Sequence, residues 1–135
     1  MTKRTFSILL PVAVLALAAL ACSGTISTAN IKSARLSANE RGSPETTVFK
    51  QDDFTVYCIV KLANAPSDTV VKAVWTAVDV EGVAPNTLID QSELTSGDAE
   101  LTFTLTNDQL WPVGQYKVDL YLNDKLDRTL EYRVE

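Results

Sequence analysis

The chain has 135 residues, 12 basic and 17 acidic side chains, and a formal net charge of −5. That length holds one domain with a real core and not two, and the acidic balance argues against nucleic acid and against an electrostatic grip on anionic lipid headgroups. The absence of histidine excludes Ser-His-Asp and Cys-His nucleophilic systems and removes the commonest transition-metal ligand.

The first five residues carry Lys3 and Arg4 and no acid, and Phe6 to Ala21 is apolar apart from Ser7 and Pro11. These are the charged and apolar regions of a secretory signal. The run is shorter than the roughly 20 apolar residues that cross a bilayer, so an export leader is expected in place of a retained membrane helix. Ala19-Leu20-Ala21-Cys22 closes the run and resembles the lipobox of bacterial lipoproteins. Leu20, Ala21 and Cys22 fit that pattern, and Ala19 stands where a bulky aliphatic residue is usual. The resemblance implies cleavage before Cys22, a thioether from its sulfur to diacylglycerol, and acylation of the new amino terminus. Two or more acyl chains make such attachment stable where one is marginal. Ser23 takes the place of the Asp that retains some lipoproteins at an inner membrane, which favours the outer membrane or an outward face. The expected address is therefore the bacterial cell envelope, exported and lipid-anchored; ordinary secretion with cleavage near Cys22 is the alternative.

This divides the chain into a signal peptide over 1–21, a lipidated cysteine and tether over 22–30, and a folded domain over 31–135. Removing the leader leaves 114 residues with 10 basic and 17 acidic side chains, a balance of −7. Cys58 is then the one remaining thiol. It shares an alternating face with Phe54, Val56, Val60 and Leu62, so burial is expected over reactivity.

From Ile31 the hydrophobic period is 2, with turn residues between the runs and no useful amphipathic helical stripe. Strands are expected at Ile31 to Ser37, about Asp53 to Leu62, and Thr69 to Asp79, with a loop through Asn39, Gly42, Ser43 and Pro44. The third strand is apolar on both faces, and Trp75 is assigned inward with Val71, Ala73 and Ala77. Thr87 to Leu94 reads as an edge strand. Leu101, Phe103 and Leu105 alternate with threonines in the next. Tyr116, Val118, Leu120 and Leu122 point inward in the strand after it, with Lys117, Asp119 and Tyr121 outward. Asn123-Asp124-Lys125 then makes a hairpin into a last strand that returns through Leu126, Leu130, Tyr132 and Val134.

Seven runs in this length predict an all-β, antiparallel sandwich. Leu110-x-Pro112-x-Gly114-x-Tyr116-x-Val118 resembles the corner before the sixth strand of immunoglobulin-like and fibronectin-type-III-like domains. That resemblance implies that the Tyr116 hydroxyl bonds back to upstream backbone. It also places Cys58 and Trp75 where antibody domains keep a cysteine and a tryptophan, but Val118 stands at the second cysteine position. The inter-sheet disulfide is therefore not expected.

Candidate binding residues are the aromatics outside the assigned core: Trp111 in the loop before Tyr116, and the outward Tyr57 and Tyr121. Exposed aromatics stack on sugars or anchor protein interfaces. Trp111 capping the sandwich is the alternative. Asp52-Asp53, Asp98 and Asn107-Asp108 offer oxygen ligands but form no twelve-residue calcium loop, so no metal, no cofactor and no catalytic residue are assigned. The expected function is a noncatalytic interaction module, held to the membrane through Cys22 and binding an envelope protein or glycan. The alternative is a protease inhibitor or enzyme accessory domain that uses the loops Asn39 to Thr47 and Gly82 to Asn86.

Overall fold

A computed structural model of the chain describes residues 27–135. The leader, Cys22 and the first part of the tether lie outside the described residues. The strands are β1 (Asn30–Ser37), β2 (Val48–Phe49), β3 (Thr55–Ala63), β4 (Thr69–Val80), β5 (Thr87–Ser96), β6 (Glu100–Thr106), β7 (Gly114–Leu122) and β8 (Lys125–Val134). They form two packed sheets, one of order β1-β3-β6 and one of order β2-β8-β7-β4-β5. The alternating runs become strands because each puts one apolar row between the sheets: Val56, Cys58, Val60 and Leu62 from β3, Val71, Ala73, Trp75 and Ala77 from β4, and Tyr116, Val118 and Leu120 from β7.

Eight strands replace the expected seven. The additional strand, β2, has two residues and pairs in parallel with the end of β8, Val48 with Arg133 and Phe49 with Val134. The larger sheet is therefore mixed and not purely antiparallel. Phe49 is fully buried by this pairing.

Phe54, expected inward, is not, and Leu126 breaks the alternation of its strand. Phe54 is 45% exposed, because β3 starts one residue later and the Phe54 carbonyl accepts from the Asn107 amide beyond the end of β6. Leu126 is 57% exposed. The β7–β8 register shifts between Leu120 and Tyr121, which sets Leu126 opposite the outward Tyr121. Asp119 does lie on the outer face but is buried, accepting from Thr129 Oγ1 at 2.5 Å and lying 3.4 Å from Lys117 Nζ. Ile59, on the outer face of β3, is also buried, because Gly42 and Arg35 lie over it.

All strand ends fall into two groups. At the near end are the start of β1, the β3–β4 and β5–β6 turns and the β7–β8 hairpin; Thr28 Oγ1 fastens the incoming chain there by donating to the Asn64 carbonyl at 2.8 Å. The far end carries the loops after β1, β2, β4 and β6.

Gly114 opens β7 at the far end, where β4 shifts register between Ala77 and Asp79. Its φ is +153°, and a Cβ there would fall on the Asp79 carbonyl oxygen and 2.6 Å from Val80 Cα. Backbone, not a flexible side chain, fills the space, so relief requires the strands to part. Gly114→Ala is expected to cost at least about 2 kcal/mol, measured by urea denaturation. A loss within 0.5 kcal/mol would contradict this account of the close approach.

Candidate functional site

The three aromatics singled out from the sequence are not brought together. Tyr57 stands half-buried on the outer face of the smaller sheet, between Ser37 and Thr104. Tyr121 stands on the outer face of the larger sheet, with Lys72 Nζ 4.8 Å from its ring centroid. Trp111 is only 5% exposed. Its indole N–H donates to the Asp53 carbonyl at 2.8 Å, its amide donates to the Gln51 carbonyl, and Gln51 Nε2 donates to its carbonyl. Trp111 thus caps the far end and does not present a stacking platform. No period exists in a loop to signal such burial; the flanking loop at Gln51–Asp53 supplies the partners that allow it.

The remaining polar candidates also disperse. Asp53 Oδ2 accepts from the Lys50 amide, and Asp98 Oδ1 accepts from the Ala65 amide at the near end, far from Asn107 and Asp108. Among the described residues no group of three or more His, Cys, Asp or Glu is placed to hold a metal ion. The loop after β1 lies back on its own sheet: Arg35 Nε donates to the Gly42 carbonyl, Ser37 Oγ to that of Pro44 and Asn39 Nδ2 to that of Ser43.

What the fold does build is a cleft. The larger sheet has five strands and the smaller three, so β5 extends past its cover, and β5 and β6 are both unpaired on one side. Between them, at the far end, lies an apolar cleft of about 250 Å³, lined chiefly by Ala77, Val80, Ile89, Thr106, Trp111 and Tyr116. Ile89 reaches it because it is the extra residue of a bulge: Trp75 pairs with Asp90, and Thr76 pairs with Leu88. Phe54, and Leu110 at 58% exposure, lie on the two loops that the Gln51, Phe54, Asn107 and Trp111 backbone bonds fasten together nearby. The sequence signal for this cleft is slight, since it depends on how far one sheet overlaps the other.

Tyr116 forms the cleft's inner wall and the corner beneath it. Its hydroxyl donates to the Pro112 carbonyl at 2.6 Å, across the turn that Gly114 makes. Burial pushes its hydroxyl up to about 12. The ring stacks on Tyr132 at 5.2 Å, yet the Tyr132 hydroxyl has no hydrogen-bond partner among the described residues. Burial, with Tyr116 and Cys58 nearby, raises the Tyr132 hydroxyl far above its ordinary range. Cys58 is fully buried, and burial pushes its thiol up to about 12.

The architecture is that of an all-β immunoglobulin-like sandwich, with the smaller sheet of three strands. No protein-family model matches the chain, and no curated protein matches it. Solved structures do match. An immunoglobulin-like protein from Pseudomonas aeruginosa is 13% identical with a TM-score of 0.57, over 83% of this chain and 100% of that one. An alkylpurine DNA glycosylase from Pseudomonas fluorescens, bound to DNA containing an abasic site analog, is 14% identical with a TM-score of 0.52, over 81% of this chain. The chain spans 31% of the glycosylase's length. At such identities the likeness shows the fold alone.

The two stacked tyrosines should respond to one substitution with opposite signs. Tyr116→Phe loses a short, partly buried bond to the Pro112 carbonyl and is expected to cost about 1–1.5 kcal/mol, while Tyr132→Phe removes a hydroxyl without a partner among the described residues and is expected to gain about 1 kcal/mol. Urea denaturation of both variants measures this. A clear loss from Tyr132→Phe would show that its hydroxyl is bonded in solution.

Cys58 gives a pH dependence of definite sign. Its thiol stays protonated to about pH 12 in the folded protein, against 9.0 for the ordinary thiol. Between these values the unfolded chain binds fewer protons, so stability falls as pH rises, at on the order of 1.4 kcal/mol per pH unit at most. Below pH 9 this effect vanishes. Cys58→Ala should therefore lose stability at pH 7 but show a shallower alkaline decline than the parent, followed by denaturation at pH 7, 9 and 10.5. Equal declines in the two proteins would refute the assignment.

Proposed function

We propose that this chain is a noncatalytic interaction module, exported and held at a bacterial membrane by lipid on Cys22, that binds an envelope protein or glycan. The observation that carries the reading is the separation of the chain's entry from the cleft. The domain begins at the near end, and the apolar cleft opens at the far end, one strand length away. At roughly 3.3 Å per residue, the nine residues of β7 put about 30 Å between them. A tether at residues 22–30 then leaves the cleft facing away from the membrane. The fold itself names no ligand.

The inhibitor alternative draws less support. Its first loop is bound down on its own sheet by Arg35, Ser37 and Asn39, and Gly82 to Asn86 is a tight turn in which the Val83 and Asn86 amides donate to the Val80 and Val78 carbonyls. Neither projects as a long free segment.

Cells grown with labelled fatty acid, expressing the parent chain or Cys22→Ser, test the attachment. Label and membrane fractionation are expected for the parent and both are expected to be lost in Cys22→Ser. Label that persists in Cys22→Ser, or a parent chain released without label, would overturn the lipid anchor.

A further inference from the structure

The net charge of the described domain resides in one part of it. Residues 73–116 contain Asp79, Glu81, Asp90, Glu93, Asp98, Glu100 and Asp108 and no Lys or Arg. The rest of the described chain holds ten acids and ten bases. That acidic segment comprises most of β4, all of β5 and β6, and the far-end loops on either side of the cleft. Among the described residues, only Glu100 of these seven meets a cation, Arg35 at 3.7 Å. Lys72, opposite Glu93 in the β4–β5 register, lies instead over the Tyr121 ring.

The same flank carries unpaired backbone. β6 is bonded to β3 on one side only, and its inward residues Leu101, Phe103 and Leu105 lead toward the cleft at Thr106. Across the gap, Asp90 pairs with Trp75 and so lies on the inner side of the sheet, next in sequence to Ile89 of the cleft lining. Its Oδ1 accepts from the Gln91 amide at 2.8 Å, which occupies one edge donor of β5 and leaves the β6 edge as the more open of the two.

We infer that the cleft between β5 and β6 takes an extended cationic polypeptide, which adds as a strand to the free edge of β6, puts an apolar side chain into the cleft and sets basic side chains against Asp90 and its acidic neighbours. This rests on the reading of the domain as a binding module and names the partner's chemistry. Strand addition draws affinity from main-chain hydrogen bonds and specificity from alternate side chains in pockets. Complementary charge steers the encounter and rejects wrong partners. A second copy of this chain is a wrong partner by that criterion, since it would bring acidic flank to acidic flank.

The test uses the full chain and its Cys22→Ser form, each purified in detergent, with ten-residue fluorescent probes of alternating Lys and Val, alternating Glu and Val, and Lys alone. The Lys-Val probe is expected to bind saturably, at least about tenfold more tightly than Lys alone, with no binding of the Glu-Val probe. Asp90→Lys should weaken it at least about tenfold, while Asp124→Lys, the same charge change at the near end, stays within about twofold. Hydrogen exchange should slow over residues 100–107 when the probe binds. Absent binding, equal affinity for Lys alone, equal effects of the two charge reversals, protection elsewhere, or displacement by a neutral hexasaccharide would each overturn the inference. Lipid label and probe binding are read separately: binding by Cys22→Ser survives a failure of the anchor, and lost binding with intact label refutes this partner alone.

Discussion

Five rings hold the interior together, and the form of the sandwich follows from where they stop. Tyr132 stacks on Tyr116 and meets Phe49 and Trp75 edge to face, while Trp111 meets Tyr116 in the same way. These contacts join β2, β8, β7 and β4 with the loop before β7. Aromatic pairs of this geometry add about 0.5–1.5 kcal/mol beyond the area they bury. None of the five rings comes from β5. The larger sheet is therefore cemented through four of its strands, and its fifth is held chiefly by its ladder to β4.

That imbalance explains why one side of the domain is closed and the other open. On the β2 and β8 side, Arg128 Nη2 donates to the Ile31 carbonyl at 2.6 Å and ties the two sheets together. On the opposite side, the β3–β4 and β5–β6 turns join them at the near end, where the Ala65 amide donates to Asp98 Oδ1. Trp111 closes the interior beneath the far end by bonding to the Gln51–Asp53 loop, but it cannot extend the cover beyond β6. The cleft is what remains between an overhanging strand and a short one. Its apolar lining is the continuation of the core, since Ala77, Val80, Trp111 and Tyr116 belong to both.

Period and motif disclosed the central strands because burial there is regular. Trp75 sits inward as assigned, although its strand is apolar on both faces, and the Tyr116 hydroxyl reaches Pro112 as the Pro-x-Gly-x-Tyr pattern implies. Both depend on local spacing. Phe54 and Leu126 defeat the same rule, because alternation cannot reveal a strand's first residue or a bulge that reverses the face. β2 is too short to have a period, and Ile59 is buried by Gly42 and Arg35, a tertiary contact invisible in β3's own residues. The cleft was least legible of all. It arises from unequal strand numbers in two sheets, a property of pairing and not of any one segment.

An open edge beside an apolar cleft is ordinarily an aggregation hazard, and natural sheets protect such edges with bulges, inward charges and short strands. β5 carries two of these, the bulge at Ile89 and Asp90 on its inner side, whereas the seven-residue β6 pairs without a register shift and turns Leu101, Phe103 and Leu105 inward. Simple protection, however, is indifferent to sign, and lysine serves it well. Among the described residues this chain places seven acids and no base across residues 73–116, against ten of each in the remainder. Scattered protective charge would not produce that division. A one-sign flank repels its own kind and attracts the opposite kind over roughly a Debye length, about 8–10 Å at moderate salt. The edge is thereby closed to copies of itself and kept open to a basic chain, so the feature that keeps the domain from self-pairing also selects what can pair with it.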